Sequence, residues 1–559
     1  METTGAQTLV ETLARNGVTS IFGYPGASTL PIHDALSKSG IRHYLMRHEQ
    51  AAAHAADGYA RATGRIGVCL ATSGPGATNL VTGIATAYMD STPLLALTGQ
   101  VRTKLLGSDA FQETDIIGIT MPITKHSYLI NDAAQIEATI EEAISIAESG
   151  RPGPVLVDLP FDVMAAKDVP QMKASTKRKE PSTNGWRKKD NGDHLKRIAQ
   201  FLNTAEKPVI IVGGGVKLAH ACTELSDLIK RAKIPFVSTM MGIGSVASPN
   251  GLNLGFIGTH GNELANHTIH RSDFILAIGV RFSDRSTAVV EEFAPFATIA
   301  QIDIDPTSIS KNIDTDLAVI DDIRKALTEL SPLMQETNRD EWLTRIQKKK
   351  DTLFRKDSSA GCGPAGDLIR QVQEALHGDA TAVTDVGLNQ IWTLRNWQAR
   401  QPRTLLTPGG LGTMGFSVPA AFGAAVGTPD RSVVVFSGDG GLLMNIQELA
   451  SVFHHNVPLK IVVFNNGNLG MIRQIQDLFY GSRFSDSNLG SHIDLVAIAR
   501  GFGIEAERVL AEKPEAGIEK MRKSTGPFLL EAVVDSNNYV FPIVPPGRSN
   551  VEMIHEKMG

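Results

Sequence analysis

Two segments of the C-terminal third decide the fold, FSGDGGLLMN at residues 436–445 and VVFNNGNLGM at residues 462–471. Each contains the end of an apolar run that is typical of a buried strand, SVVVFS (432–437) in the first and PLKIVVFN (458–465) in the second. The residues between them, LLMNIQELASVFHH (442–455), carry apolar side chains three and four positions apart, which predicts one helix. The pattern therefore predicts a β-α-β unit of a parallel sheet.

Polar side chains follow both strands of this unit. Asp439 comes at the end of the first strand, and Asn465 and Asn466 come at the end of the second. Open parallel sheets bind ligands at such strand ends, and one carboxylate with one amide oxygen suits a Mg²⁺ that also binds phosphate. Glycines let backbone N–H groups approach a phosphate closely, and three flank the acid: Gly438, Gly440 and Gly441. Alternatively each segment is only a turn, which leaves their position in one unit unexplained.

Composition narrows the class of protein. The chain of 559 residues is long enough for three or four domains, and its 42% hydrophobic and 20% charged residues are ordinary for a globular protein. A formal net charge of -5 favours neither nucleic acid nor an anionic membrane, which leaves small molecules or proteins as partners. Three widely spaced cysteines, Cys69, Cys222 and Cys362, offer no metal-ligand spacing and fit a reducing compartment.

The N-terminal segment METTGAQTLVETLARNGV has the pattern of an amphipathic helix and lacks the apolar core of a signal peptide. No run of the chain reaches the roughly 18 apolar residues of a membrane span. We therefore expect a cytoplasmic protein that does not cross a membrane.

Alternating strand and helix patterns predict an α/β protein with three doubly wound parallel-sheet domains. The first and third blocks have similar patterns, so one architecture could be used twice. A polar, basic run between the first two blocks is better explained as a solvated linker than as a nucleic-acid patch. The predicted boundaries are a first domain at 1–170, a basic linker at 171–192, a central domain at 193–340, a helical, charged linker at 341–365, a third domain at 366–540 and a C-terminal tail at 541–559.

The GDG and NN motifs, with 24 residues between Gly440 and Asn465, resemble those of the thiamine diphosphate-binding enzymes. That resemblance implies that Asp439, the side chain of Asn466 and the backbone carbonyl of Asn468 hold Mg²⁺. It also implies an activating glutamate, which matches Glu49 at the start of a helix of small residues in RHEQAAAHAADGYARATG. Taken alone, Glu49 could equally be an acid that interacts with the helix dipole.

Further motifs resemble the large subunits of acetohydroxyacid synthases, also called acetolactate synthases, over nearly the whole chain. They include RHEQ (47–50), GYARATG (58–64), ATSGPGATN (71–79), TGQV (98–101), DAFQE (109–113), TKHS (124–127), RPGPVLVD (151–158), GLGTMGFSVPAA (410–421), LGMIRQ (469–474) and VPPGRSNVEMI (544–554).

The resemblance implies an enzyme of branched-chain amino-acid biosynthesis that decarboxylates pyruvate and transfers the hydroxyethyl unit to a second 2-oxo acid, giving 2-acetolactate. It implies a pyrimidine-binding first domain, a central FAD-binding-like domain and a diphosphate-binding third domain, with FAD in a non-redox role. Homodimers or homotetramers with active sites between subunits are expected, with or without a regulatory small subunit. The tail at 541–559 would be a candidate lid over the active site.

Individual positions follow from the same resemblance. The residues at the reacting centre would be Glu49, Phe111 and Gln112. Met414 would bend thiamine diphosphate into its V shape, and the remaining thiamine contacts would be Pro25, Gly26, Gly387, Asn389, Gly412, Gly440, Gly441, Gly470 and Met471. The flavin contacts would be Gly213, Gly214, His260, Arg281, Asp303 and Asp322.

Departures from the family pattern concentrate at positions that line the acceptor channel in relatives. Arg102 replaces a proline, Phe161 a lysine, Phe256 a methionine and Ile475 a tryptophan, while Leu388 and Asn389 replace glutamine and histidine near the diphosphate. The tryptophan position is linked to preference for 2-oxobutanoate in the family. Two alternatives therefore stay open: a sister carboligase that uses another ketone acceptor, such as a keto sugar, and a pyruvate oxidase or non-catalytic binding module.

Overall fold

The computed structural model of the chain describes residues 3–167, 169, 191–356, 363–490 and 493–557. It contains three six-stranded sheets, and within the described residues every pairing between named strands is parallel. Helices cover both faces of the sheets, which confirms the predicted α/β class with three parallel-sheet domains. The predicted basic linker falls almost entirely outside the described residues, as does Cys362.

The N-terminal sheet has the strand order β2-β1-β3-β4-β6-β5. Its strands are β1 Ser20–Gly23, β2 Arg42–Leu45, β3 Gly67–Ala71, β4 Leu94–Gln100, β5 His126–Leu129 and β6 Pro154–Pro160. Its helices are α1 Gly5–Arg15, α2 Leu30–Leu36, α3 Glu49–Thr63, α4 Pro75–Asn79, α5 Val81–Asp90, α6 Ile116–Thr120, α7 Ile136–Glu148 and α8 Phe161–Ala165.

The central sheet has the order β12-β11-β10-β7-β8-β9, which is the strand order of dinucleotide-binding folds. Its strands are β7 Pro208–Val212, β8 Phe236–Ser238, β9 Asn253–Phe256, β10 Phe274–Ile278, β11 Thr298–Asp303 and β12 Leu317–Ile320. Its helices are α9 Asn191–Thr204, α10 Gly215–Leu218, α11 Cys222–Ala232, α12 Glu263–Arg271, α13 Asp284–Thr287, α14 Ile323–Leu330 and α15 Asp340–Lys356.

The C-terminal sheet has the order β14-β13-β15-β16-β18-β17, so its topology repeats that of the N-terminal sheet. Its strands are β13 Thr381–Thr384, β14 Leu405–Leu406, β15 Val433–Gly438, β16 Lys460–Asn465, β17 Glu505–Leu510 and β18 Phe528–Val533. Its helices are α16 Gly363–Ala375, α17 Leu388–Asn396, α18 Ser417–Gly427, α19 Asp439–Met444, α20 Glu448–His454, α21 Gly470–Phe479, α22 Leu495–Gly501 and α23 Glu515–Lys523.

Two local predictions differ from the structure. The segment LLMNIQELASVFHH, predicted as one helix, is split between α19 and α20, because Asn445 leaves the helical path and donates from Nδ2 to the carbonyl of Gly415 at 2.8 Å. Much of the predicted linker at 341–365 is α15, whose Trp342 and Ile346 are buried in the core of the central domain. The tail from residue 541, whose predicted role as a lid stays a prediction, packs on the central domain, where the N–H of Val544 donates to the carbonyl of Thr259 at 2.9 Å. None of the described helices has the length and hydrophobicity needed to cross a membrane.

Helix α3 of the first domain packs against α18 of the third, and one hydrophobic core runs through both. Both helices are rich in alanine and glycine, which lets their backbones approach closely. A Cβ added to Gly58 would lie 2.0 Å from the carbonyl oxygen of Ala420, and one added to Gly423 would lie 1.7 Å from that of Ala55. The small residues are therefore required by the contact that joins the two domains.

We predict that Gly423→Ala lowers the free energy of unfolding by about 1–3 kcal/mol, because its methyl group overpacks this contact. Urea or thermal unfolding of the cofactor-free protein measures the change. The control is Gly501→Ala in α22, where an added Cβ meets no atom within 4 Å and the better helix former should stabilise slightly. If the Gly423 variant and the wild type unfolded at the same urea concentration or temperature, the close packing would be contradicted.

Candidate active site

A cavity of about 1050 Å³ lies where the three domains meet, with most of its lining from the central and C-terminal domains. It collects most of the positions that were assigned to cofactors from sequence. Those that line it are Gly214, His260, Arg281, Asp303, Asp322, Gly387, Asn389, Gly412, Met414, Asp439, Gly440, Gly441, Asn466, Asn468, Gly470 and Met471. The predicted flavin and diphosphate contacts therefore share one continuous space.

Asp439 begins α19 directly after β15, and β15 pairs with β16 so that Gly438 lies opposite Phe464. This register brings the acid and the Asn465–Asn466 pair to the same edge of the sheet, as the sequence predicts. The Asp439 side chain is 6% exposed, and burial raises its pKa to about 6. Backbone N–H groups, including that of Gly440 at 2.9 Å, oppose that shift, and no cationic side chain of the described residues pairs with the acid.

The loop after β16 presents several amide oxygens beside Asp439. The Oδ1 atom of Asn466 accepts from the N–H of Asn468 at 3.0 Å, and the Oδ1 atom of Asn468 is buried without a hydrogen-bond partner. Gly470 passes so close that an added Cβ would lie 2.7 Å from Nδ2 of Asn466. A buried carboxylate without a cation and an unpartnered amide oxygen are a donor set that fits Mg²⁺.

The oxygens beside Asp439 come from amides, so this site differs from a metal site built of several carboxylates or histidines. Among the residues that the structure describes, no three His, Cys, Asp or Glu side chains form a group that could hold a metal ion. A Mg²⁺ here would have one charged protein ligand and would take further oxygens from a phosphate and water. The geometry therefore fits a metal that arrives with a phosphorylated cofactor.

Asp385 is a site residue that the sequence interpretation missed. It follows β13 and is fully buried, and it accepts hydrogen bonds from the N–H groups of Val386, Gly415 and Ser417 at 3.0–3.1 Å. A Cβ added to Gly441 would lie 2.4 Å from its Oδ1 atom. Asp385 thus holds the loop that carries Met414 against the start of α19. The sequence signal that could have identified Asp385 is an acidic residue directly after an apolar strand.

The central-domain part of the cavity lies where the strand order reverses, between β7 and β10. Gly214, Arg281 and Asp303 line it, and burial raises the pKa of Asp303 to about 6. Gly213 does not line it, because its Cα faces Gly279, whose carbonyl oxygen would lie 1.9 Å from an added Cβ. The predicted flavin contact at Gly213 is therefore a packing position, and the next two glycines of the loop, Gly214 and Gly215, line the cavity.

The other predicted residues lie at the carboxyl edge of the N-terminal sheet. Glu49 is the first residue of α3, is 9% exposed, and accepts from Nδ2 of Asn79 at 2.9 Å. A Cβ added to Gly76 would lie 3.2 Å from Oε1 of Glu49, and one added to Gly74 would lie about 3 Å from Gln112. Phe111, beside Gln112, is 88% exposed.

Pro25 and Gly26 follow β1 at the same edge. A Cβ added to Gly26 would lie 2.3 Å from the side chain of Thr72, which follows β3. Together with Glu49 and Gln112 they form what we call the Glu49 patch.

Within one chain the Glu49 patch and the cavity are separate. None of Pro25, Gly26, Glu49, Phe111 and Gln112 lines the cavity, although the opposite end of α3 does, through Ala60 and Arg61. From Glu49 to Arg61 the helix rises by about 18 Å at 1.5 Å per residue. The chain therefore carries two half-sites at a distance from each other.

The four substituted positions form two pairs. Arg102 follows β4 and Phe161 follows β6, and these strands are neighbours, so the Arg102 guanidinium lies 4.6 Å from the centre of the Phe161 ring. Asp162 fixes this arrangement by accepting from the N–H and hydroxyl of Thr103 at 2.9 and 2.6 Å. Phe256 and Ile475 line the cavity instead. One chain therefore does not bring the four together.

Three regions of the chain match known domain families. Residues 3–119 match the thiamine pyrophosphate enzyme N-terminal TPP binding domain, residues 195–330 the central domain and residues 385–532 the C-terminal TPP binding domain. The chain is 44% identical to a probable acetolactate synthase large subunit of Methanocaldococcus jannaschii, over 97% of this chain and 94% of that protein.

The chain is 40% identical to the acetolactate synthase isozyme 2 large subunit of Escherichia coli, over 99% of both chains. It is 41% identical to an acetolactate synthase of Arthrospira platensis, over 99% of this chain and 97% of that protein. The chain belongs to the acetolactate synthase large-subunit family. The Glu49 patch falls in the N-terminal thiamine-binding domain of this family, and the Asp439 half-site falls in the C-terminal one. Each half-site therefore lies in a domain that binds thiamine pyrophosphate, the same compound as thiamine diphosphate.

We predict that Asp439→Asn weakens Mg²⁺-dependent binding of thiamine diphosphate by about 100-fold or more, because it would remove the one charged side chain that this loop pair offers to a metal ion. Calorimetric titration of the cofactor into apoprotein with Mg²⁺ measures the affinity. Asp430→Asn, an exposed acid at the amino end of β15, is the matched control and should bind normally. Unchanged affinity of the Asp439 variant would rule out its role as a metal ligand.

Proposed function

We propose that this protein is a Mg²⁺-dependent and thiamine diphosphate-dependent acetolactate synthase. It decarboxylates pyruvate and transfers the hydroxyethyl unit to a second 2-oxo acid, giving 2-acetolactate. The observation that carries the proposal is the pair of half-sites, Glu49 on one sheet edge and Asp439 with Asn466 on another, in two domains of identical strand order. These are an activating acid and a diphosphate anchor, the two requirements of thiamine catalysis.

Bound thiamine diphosphate would supply a nucleophilic carbon that stabilises the negative charge left by decarboxylation. Asp439, the side chain of Asn466 and the carbonyl of Asn468 would hold Mg²⁺ on its diphosphate. Glu49 would donate a hydrogen bond to the pyrimidine ring and so favour the tautomer that removes the reactive proton. Asn79 keeps the Glu49 carboxyl oriented through its 2.9 Å hydrogen bond.

A second subunit completes the site in this proposal. The two half-sites of one chain are separated by the length of α3, so the Glu49 patch would serve a cofactor anchored in the partner. Large apolar side chains are exposed on the segments around both half-sites, and a dimer would bury them: Tyr24, Leu30, Leu105, Phe111, Ile119, Met121, Leu411, Met444, Ile472 and Tyr480. We propose a homodimer, or a homotetramer built from it. Relatives are named as large subunits, which supports a regulatory small subunit.

The central domain would hold FAD in a non-redox role. Its strand order is that of dinucleotide-binding folds, and Gly214 and Arg281 line the cavity at the point where the order reverses. The Gly213–Gly215 loop approaches the neighbouring strand end without side chains, as a phosphate-binding turn requires. Asp322 lines the same cavity but also caps α14 by accepting from the N–H of Lys325 at 3.0 Å.

A second candidate differs only in the acceptor. Arg102 lies over Phe161 where relatives have proline and lysine, so the chain offers a guanidinium and a ring where they offer an ammonium group. This rearrangement, with Phe256 and Ile475 in the cavity, supports a carboligase with a pyruvate donor and another ketone acceptor, such as a keto sugar.

For either acceptor we propose a cytoplasmic enzyme, since Cys69 and Cys222 are free thiols as in a reducing compartment. If the acceptor is a 2-oxo acid, the enzyme belongs to branched-chain amino-acid biosynthesis.

We predict that two molecules of pyruvate give one acetolactate and one CO₂, with the products identified by mass spectrometry. Glu49→Gln should lower the rate by about 100-fold or more while cofactor affinity stays unchanged, since it removes an acid catalyst. Glu11→Gln, an exposed glutamate on α1, should behave as wild type.

The same assay with 2-oxobutanoate and a panel of ketones decides the acceptor. Release of CO₂ without acetolactate, together with a new adduct, would favour the second candidate. Reduction of bound flavin by pyruvate without oxygen would contradict both carboligase assignments in favour of an oxidase.

A further inference from the structure

The turn that leads into α3 is held by an acid of the C-terminal domain. Glu448, the first residue of α20, accepts the N–H of Arg47 at 3.1 Å through Oε1 and at 3.2 Å through Oε2. Its carboxylate also accepts the hydroxyl of Ser451 at 2.7 Å. The side chain is fully buried, and no cationic group of the described residues forms an ion pair with it.

Burial raises the pKa of Glu448 to about 7, while the hydroxyl of Ser451, the N–H groups of Arg47 and His48 and the positive charge of Arg47 oppose the shift. Apart from the hydroxyl of Ser451, the hydrogen bonds that this buried carboxyl group accepts come from one turn of backbone. That turn ends at Glu49, which is two residues beyond Arg47 and begins the helix. His48 adds a further constraint, since its Nδ1 accepts the N–H of Gln50 at 3.1 Å.

Glu49 is therefore restrained at both ends. Asn79 holds its carboxyl group from within the N-terminal domain, and Glu448 of the C-terminal domain holds the backbone turn that leads into it. A shift of about 1 Å in a catalytic group can cost about a hundredfold in rate, so the backbone restraint bears directly on the activity of this acid.

We propose that Glu448 is a positioning residue for Glu49, which sets where the activating carboxyl group meets the cofactor. The inference rests on the proposed function of Glu49 and adds to it a residue from another domain.

Glu448 lies in the same short segment as Asp439, so its position in the chain also links the two half-sites. Residues 439–448 begin with the metal-site acid, and Asn445 in their middle holds Gly415 beside Met414. Glu448 ends the segment at the turn before Glu49. In a dimer with shared sites, one short segment would therefore carry the diphosphate anchor of its own chain and hold the turn before the acid that serves the partner's cofactor.

The test compares Glu448→Gln with wild type by the rate of C2 proton exchange of bound thiamine diphosphate, which reports cofactor activation without substrate. The variant should exchange and turn over about 10-fold to 100-fold more slowly, with cofactor affinity and the KM for pyruvate within about twofold of wild type. Hydrogen exchange of the backbone amides of residues 46–52 in cofactor-free protein should become faster. Ser451→Ala, which leaves the carboxyl group in place, should change each readout in the same direction by a smaller factor.

Two comparisons separate positioning from general stability. In a Glu49→Gln background, Glu448→Gln should cost no further rate, because the acid through which it acts is already absent. Asp273→Asn is the matched control, since Asp273 accepts the N–H groups of Glu206 and Lys207 at 2.8 and 2.9 Å in the central domain, away from the active site. It should leave C2 exchange unchanged.

The inference would be overturned if Glu448→Gln lowered the rate in the Glu49→Gln background by the same factor as in the wild type. It would also be overturned if Asp273→Asn slowed C2 exchange as much as Glu448→Gln does. Wild-type exchange at both C2 and the backbone in the Glu448 and Ser451 variants would overturn it too. Failure of the wild-type protein to bind thiamine diphosphate or to release CO₂ would instead contradict the proposed function, so the two failures are distinct.

Discussion

The packing of α3 against α18 determines how the two thiamine-binding domains of one chain face each other. Backbone-to-backbone contact at Gly58 and Gly423 leaves no room for side chains, so the two domains are joined in one arrangement. In that arrangement one end of α3 lines the cavity and the other end carries Glu49. The same contact that stabilises the chain thus separates its two half-sites, so the proposed chemistry would draw on a second chain.

The buried acids of the cavity are the basis for its proposed ligand. Asp439 of the C-terminal domain and Asp303 of the central domain are carboxylates whose pKa values burial raises to about 6, and both line a cavity bordered by glycine loops. Buried charge without a partner costs folding free energy, and natural proteins accept that cost mainly where a ligand offsets it. Asp439 with its neighbouring amide oxygens fits a metal and diphosphate. Asp385 is also fully buried, but its three backbone hydrogen bonds hold the Met414 loop in place.

The sequence predicted those features that depend on local pattern. The buried strands, the position of Glu49 at a helix start and the register of Asp439 beside Asn466 agree with the structure, because apolar runs and strand ends are local properties. The features it missed depend on partners that are distant along the chain. Glu448 bonds a residue 401 positions away, and Asn445 and Asp385 bond residues 30 positions away.

The substituted positions show the same limit. Arg102 and Phe161 were recognised as departures, but their stacking depends on the neighbouring β4 and β6, which pattern alone does not pair. Likewise, α15 was predicted as helical, yet its membership of the central domain follows from the burial of Trp342.

Mixing two inactive variants tests most directly whether active sites form between chains. Glu49→Gln and Asp439→Asn subunits, each inactive alone, would be coexpressed and assayed for acetolactate. If Glu49 of one chain serves the cofactor held by Asp439 of the other, each mixed dimer has one intact site, and random pairing restores about a quarter of wild-type activity. Mixed preparations that contain heterodimers and stay inactive would contradict a site shared between subunits.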